Sequence, residues 1–340
     1  MKYLFVLGRD KSLGILEVIS FLKARRLTYK IVYSEKKFLI LELDKFNFSV
    51  EEFGGIIKIG RETSLDKIVI DKNKITYSVY GDKVLNELKK KFKEEKVKAM
   101  FRKYSDEPNK NDLELINIED SIFEMYSISN PKDYKNRDEN RPKFDEKKVV
   151  SIRLAKILIN LSQARYEVLD PFCGCGTILQ EGLLKKLDVI GIDKDISDVR
   201  ANLNWLREKF HTKNNFKVIK GDAGRLNFYL KKVEAIATEP YMGPYLKKLL
   251  QEKEAKKIIV ELRVLYSRFF EAAKDVVKGN LVFIEPIIKI YEGEINMDFQ
   301  SLVERYGFRS VKFEEVENPI IYDLKGSKIK RRIWVLERFK

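Results

Sequence analysis

The sequence predicts an α/β architecture, a doubly wound parallel sheet with a smaller α+β region in front of it. Three observations carry that expectation. From Ile152 onward the apolar residues recur as strand, loop and helix. The runs VLD, VIGID, FKVIKGD, AIATEPY and NLVFIEPI are short apolar strands whose acidic residues fall at their carboxyl ends, the edge on which such sheets bind ligands. Ahead of them, the alternation in KFLILEL and the helical spacing of Leu13, Leu16, Ile19, Phe21 and Leu22 mark short strands and helices without that repeat.

A chain of 340 residues exceeds what one hydrophobic core usually sustains, so more than one folding unit is expected. Residues 1–60 read as an N-terminal domain: strand 2–8, helix 13–23, strands 28–34 and 38–43, and a helix near Val50–Phe53. Residues 61–129 read as a second small domain, with strand ITYSVY, the Lys-rich helix GDKVLNELKKKFKEE, strand KVKAMFRKY and strands 113–118 and 121–128. Residues 130–150, polar and charged with two prolines and no apolar period, read as a linker. Residues 151–340 form the doubly wound domain, ending in two late strands expected as an antiparallel pair at the sheet's edge.

Composition excludes several classes. With 44% hydrophobic residues, 21 Phe and 16 Tyr, the chain can bury cores and is not disordered by composition. No run reaches the ~18 apolar residues of a membrane span, and the start MKYLFVLGRD meets charge too early for a secretory signal, which points to a cytosolic protein. Cys173 and Cys175, one residue apart, suit neither an ordinary disulfide nor a four-ligand zinc site, and no metal site is expected. One histidine, His211, argues against Ser–His–Asp and Cys–His catalysis. The net charge of +15 is uneven, with +8 over residues 1–100, −2 over 101–200 and +9 over 201–340. Such an excess suits a polyanionic partner such as nucleic acid, and equally a Lys-rich genome or heat adaptation.

The chemistry gathers at the strand ends. In VLDPFCGCGTILQEGLL a strand, a turn with Gly174 and Gly176 and an amphipathic helix follow in succession, so backbone can approach a ligand and helix N–H groups face it. Asp193 ends VIGID, where a carboxylate can accept both hydroxyls of a ribose. Asp222 ends FKVIKGD, where an adjacent strand can offer hydrogen bonds to a base. With Asp170 these fit S-adenosylmethionine better than a dinucleotide, because the turn is not G-x-G-x-x-G and no G-K-[ST] occurs. At the fourth strand end stands Glu239–Pro240–Tyr241. An exocyclic amine is a poor nucleophile because its lone pair is delocalised. A carboxylate and a turn carbonyl around its hydrogens can localise that pair, and Tyr241 can stack on the base.

These residues resemble the THUMP-domain tRNA (guanine-N2)-methyltransferases of archaea and eukaryotes, over most of the chain. YLFVLGRD, RDENRPKFDEKK, RLAKILINL, DPFCGCGTILQEGLL, NLNWL and TEPYMGP occur in that family's order. The resemblance implies a Rossmann-like, S-adenosylmethionine-dependent methyltransferase domain behind a ferredoxin-like domain (1–60) and a THUMP RNA-binding domain (61–129). It places Asp170, Pro171, Phe172, Gly174, Gly176 and Thr177 on the methionine side of the cofactor, Asp193 at its ribose, and Asp222 and Ala223 at its adenine. The family's [DN]-P-P-[YF] element falls on Thr238, Glu239, Pro240 and Tyr241. Here it reads T-E-P-Y, so either Glu239 supplies the acid or Thr238 holds the acid's place, with Glu239 favoured as the stronger acceptor. Where relatives often read M-P-P-K-L-A, this chain has Val149–Val150–Ser151–Ile152–Arg153–Leu154–Ala155.

Lys89, Lys90, Lys91, Lys93, Lys96, Lys98, Arg102 and Lys103 would grip tRNA phosphates without reading sequence, unless they only form a solvated helix face beside Glu87, Glu94 and Glu95. Lys325, Lys328, Lys330, Arg331 and Arg332 form another basic cluster, or only a charged hairpin turn. The implied activity is N2-methylation or N2,N2-dimethylation of guanosine at tRNA position 10. Adenine-N6 methylation of DNA or rRNA and a non-catalytic tRNA-binding module are the alternatives. A monomer is expected, with a small zinc-binding activator protein as the partner that eukaryotic relatives imply.

Overall fold

The computed structural model describes residues 1–108, 111–144 and 150–339. It divides into two compact units, one of Met1–Gly14 with Arg26–Tyr134, the other of Ile15–Arg25 with Lys135 onward.

In the first unit the chain runs β1 (Lys2–Leu7), α1 (Lys11–Ala24, most of it grouped with the second unit), β2 (Tyr29–Glu35), β3 (Phe38–Leu43), β4 (Ile56–Thr63), β5 (Lys74–Tyr80), α2 (Lys83–Glu94), β6 (Lys98–Phe101), β7 (Leu113–Ile118) and β8 (Ser121–Ile128). All eight strands form one sheet in the order β2-β3-β1-β4-β8-β7-β5-β6. The boundary expected at residue 60 therefore falls inside β4, which pairs with β1 on one side and β8 on the other. Helix α2 buries Val84, Leu88 and Phe92, one residue per turn, against Ile75, Tyr77, Leu113 and Leu115. Only a single turn, Val50–Glu52, forms where a helix was expected near residue 50.

The stretch 130–150 is not a plain linker. It opens with α3 (Pro131–Asn140), which starts on proline and buries only Tyr134, so its polar run is the solvated face of a helix. Residues 145–149, including Val149, lie outside the described residues.

The second unit continues with α4 (Ile152–Ser162), β9 (Glu167–Asp170), α5 (Thr177–Leu184), β10 (Asp188–Asp193), α6 (Ser197–Phe210), β11 (Phe216–Lys220), α7 (Leu226–Tyr229), β12 (Ala235–Thr238), α8 (Glu252–Ala273), β13 (Leu281–Ile290), β14 (Gly293–Ile295), α9 (Phe299–Arg305), β15 (Phe308–Ser310), β16 (Ile320–Tyr322) and β17 (Ile329–Arg338). Its sheet runs β11-β10-β9-β12-β13-β17-β15, with β14 beside β13 and β16 beside β17. The first five strands are parallel, and β17 is antiparallel to β13 and β15. Of the two late strands expected at the edge, only β15 lies there. Strand β17 is interior, which its apolar run Ile333–Leu336 requires.

Strand order reverses between β9 and β12, and in sheets of this kind the two diverging connections open a crevice at that point. Beneath it Tyr266, Phe269 and Phe270 of α8 pack on Phe283, Phe299 and Trp334, a core of aromatic rings that fixes the far side of the sheet. Helix α4 starts at Ser151, whose hydroxyl accepts the N–H of Leu154 at 3.2 Å.

Candidate active site

The turn after β9 puts alternate residues toward the crevice. Phe172 and Gly174 are partly exposed, whereas Cys173 and Cys175 are buried and their thiols are pushed up by burial. Gly174 (φ +50°) and Gly176 (φ +86°) take the left-handed backbone that this turn needs, and a Cβ on Gly176 would sit 2.6 Å from Val199 Cγ2. The Gly174 N–H donates to Asp193 Oδ2 at 2.8 Å, so the end of β10 holds the turn directly. Asn202, fully buried on α6, donates to the Cys175 carbonyl at 2.8 Å and to the Lys143 carbonyl at 2.9 Å. Asn202 opens the NLNWL motif, but its role could not be read there, because one amide in an amphipathic helix does not show what it bonds.

Several residues expected in contact with a cofactor are engaged with protein instead. The Thr177 hydroxyl accepts from Arg141 at 3.0 Å and is buried. Asp170, 3% exposed, accepts from the Thr238 hydroxyl at 2.7 Å and from the Phe172 N–H at 3.1 Å. Its carboxyl joins the ends of β9 and β12, on either side of the strand-order reversal. Pro171 and Ala223 are buried beside it in sequence and at the next strand end. Asp222 caps the short turn Ala223–Arg225, with Oδ1 accepting from Gly224 N–H at 2.8 Å, and Arg268 lies 4.0 Å from Oδ2.

Burial pushes the Asp170 carboxyl up to about 7, against the pull of its two hydrogen bonds, and the nearby Asp193 and Glu239 carboxylates push the same way. Glu285 on β13, fully buried, is also pushed up to about 7 by burial. Its Oε2 accepts from Trp334 Nε1 at 2.9 Å and Arg332 at 3.3 Å, while Oε1 has no partner among the described residues. Both acids are therefore harder to ionise folded than unfolded. Their stability is fully present below the unfolded pKa near ~4 and is lost as pH rises toward the folded value. The variant Asp170→Asn/Glu285→Gln should thus gain thermal stability over wild type as pH climbs from about 5 to about 8. Melting curves across that range test this, and a difference that stays constant with pH rejects it.

At the fourth strand end the two candidates for the acid's place in T-E-P-Y are engaged differently. Thr238 is the last residue of β12, 0% exposed, with its hydroxyl committed to Asp170. Glu239 is the first residue beyond the strand, and its Oε1 accepts from Arg331 Nε of β17, two strands away. The Tyr241 ring is 56% exposed, and its carbonyl accepts from the Tyr266 hydroxyl at 2.8 Å. Tyr266 is itself wholly buried on α8.

Of the closing basic cluster, Lys330, Arg331 and Arg332 lie in β17 and pair with Glu294, Glu239 and Glu285. Successive side chains of a strand point to opposite faces, so Arg331 and Arg332 serve different sides of the sheet. The RNA-binding candidates lie in the first unit. Lys89, Lys90, Lys93, Lys96, Lys98, Arg102 and Lys103 are exposed on α2, β6 and the residues beside them. Lys91 is drawn in, donating to the Leu65 carbonyl at 2.7 Å with Glu95 at 3.4 Å, so it anchors α2. Among the described residues no group of His, Cys, Asp and Glu could hold a metal ion, and no helix is long and apolar enough to cross a membrane.

Comparison with known proteins agrees with this geometry. Residues 140–318, more than half of the chain, match the family described as RMKL-like, methyltransferase domain. A tRNA (guanine(10)-N2)-dimethyltransferase of Pyrococcus abyssi is 29% identical over 185 residues, covering 53% of this chain and 49% of that protein. Another, of Methanothermobacter thermautotrophicus, is 33% identical over 167 residues, covering 47% and 45%. The chain spans about half the length of the curated relatives it matches. The crystal structure of TrmN from Thermus thermophilus superposes with a TM-score of 0.51 at 13% identity over 100% of both chains, which establishes the shared fold. A parallel sheet whose order reverses between β9 and β12, a glycine turn tied to Asp193 and a matched sequence model identify the chain as a member of the RMKL-like methyltransferase domain family.

Proposed function

We propose that the protein is an S-adenosylmethionine-dependent tRNA (guanine-N2)-methyltransferase, forming N2-methylguanosine or N2,N2-dimethylguanosine at position 10. The observation that carries this reading is the placement of Glu239 and Tyr241 at the end of β12, across the strand-order reversal from the Gly174 turn and Asp193. The names of the curated relatives support the choice of guanine N2 in tRNA.

The residues present fit the cofactor. Gly174 and Gly176 leave the turn without side chains, Asp193 keeps a carboxylate at the crevice edge, and Asp222 stands at the next strand end. When bound, S-adenosylmethionine supplies an electrophilic methyl group on a sulfonium. Asp193 accepts the ribose hydroxyls, and the Asp222–Ala223 turn borders the adenine. Tyr241 stacks on the flipped guanine and sets its plane. Glu239 accepts a hydrogen bond from the exocyclic amine, which keeps the nitrogen lone pair available and gives the departing proton its exit when the C–N bond forms. The exposed cations of α2 and β6 hold RNA phosphates without reading sequence.

The test is incubation with tritiated S-adenosylmethionine and tRNA transcripts, followed by nucleoside analysis. Label in N2-methylated guanosine at position 10 is expected. Label only in N6-methyladenosine, from tRNA, rRNA or duplex DNA, overturns the guanine reading, and no label in any nucleic acid overturns the enzymatic one.

A further inference from the structure

We infer that Arg331 is a positioning residue for Glu239, and that with Tyr266 it fixes a catalytic loop which a second proline would otherwise stiffen. The inference rests on the proposed reading of Glu239 as the acceptor of the substrate amine.

Pro240 fixes its own φ and keeps Glu239 extended, but nothing in T-E-P-Y restricts the chain after it. Two long-range contacts supply that restriction. Tyr266 reaches up from the aromatic core of α8 and donates to the Tyr241 carbonyl at 2.8 Å. Arg331 approaches from β17 and donates through Nε to Glu239 Oε1. Strand register explains how it gets there. Arg331 stands opposite Pro286 on β13, and β13 lies beside β12 with Phe283 opposite Thr238, so the guanidinium comes level with the residues just past the end of β12. Pro286 is the neighbour of Glu285, and that second Glu–Pro pair places Arg332 on the other face with its own acid.

The Arg331–Glu239 pair differs from the chain's surface ion pairs. Its side chains are 21% and 11% exposed, against 60% and 39% for the pair of Arg309 on β15 and Glu337 farther along β17. A pair so withdrawn from water is ordered by its geometry, where an exposed one is loosened by solvent and salt. One carboxylate oxygen is occupied by the guanidinium. The other, Oε2, has no bonding partner among the described residues and is left to the substrate. Arg331 therefore orients the second oxygen. The groups around Glu239 are Arg331 from β17, Asp170 from β9 and Tyr266 from α8, and of these Arg331 carries the charge opposite to a carboxylate.

The experiment compares wild type with Arg331→Gln, Arg331→Lys and Tyr266→Phe on the tRNA that wild type methylates. Affinities for S-adenosylhomocysteine and tRNA are measured separately. Arg331→Gln should leave both affinities within about twofold, lower kcat by about a hundredfold at nearly constant KM, and move the acid limb of the kcat profile to higher pH. Arg331→Lys should recover part of kcat and return the acid limb toward wild type. Tyr266→Phe should lower kcat with the acid limb unmoved. A wild-type kcat in Arg331→Gln overturns the inference, as does a loss of kcat with an unshifted acid limb or a loss of cofactor affinity. If wild type itself methylates no tRNA guanine, the underlying reading of function fails. The order of the Glu239 side chain by NMR, lower in Arg331→Gln than in wild type, still tests the pairing in that event, and equal order rejects it.

Discussion

Glu239→Gln should lower single-turnover methyl transfer by about a thousandfold while leaving the dissociation constants for tRNA and S-adenosylhomocysteine nearly unchanged. Glutamine keeps the volume and can still accept from Arg331. It loses the negative charge on which the emerging positive charge of the amine depends, and removal of one such preorganised group typically costs that order of rate. Thr238→Val is the companion. Its hydroxyl donates to Asp170 inside the sheet, so the substitution strips a hydrogen bond from a buried carboxyl and should show mainly as lost thermal stability. Equal transfer by Glu239→Gln and wild type would remove the acid from the mechanism. A thousandfold loss in Thr238→Val, with stability intact, would hand the role to threonine.

Asp193→Ala should weaken S-adenosylhomocysteine binding by about a hundredfold in calorimetry. Two effects act together: the carboxylate proposed to accept the ribose hydroxyls is gone, and the Gly174 N–H loses its 2.8 Å partner, so the glycine turn is no longer held. Charge-assisted hydrogen bonds of this kind contribute ~1.5–3 kcal/mol each, and 2.7 kcal/mol is about a hundredfold in Kd. Asp193→Asn keeps an acceptor and should fall between the two. An unchanged Kd in the alanine variant would separate this strand end from the cofactor altogether.

The catalytic unit was legible where its signals were local. Strands β9, β10 and β12 are short apolar runs that end on a polar residue, so VLD, VIGID and AIATEPY declare the strands. Gly174 and Gly176 could be read because a left-handed turn leaves few alternatives. What the sequence withheld is long-range. Arg331 lies 92 residues beyond Glu239, and a Lys–Ile–Lys–Arg–Arg run after Gly326 looks like a solvated turn until the strand register is known. Helix α3 was hidden for the opposite reason: with one buried residue, Tyr134, it has too little apolar period to register. Asp170 and Thr177 flank the glycine turn as the motif suggests, but only packing shows that their side chains are turned to Thr238 and Arg141.

The position of β4 at the centre of the front sheet bears on how this protein can be dissected. An expression fragment starting or stopping at residue 60 would cleave a ladder that is hydrogen-bonded on both flanks, leaving β1 and β8 with raw, sticky borders prone to aggregate. The eight-stranded sheet is thus to be kept whole in any fragment.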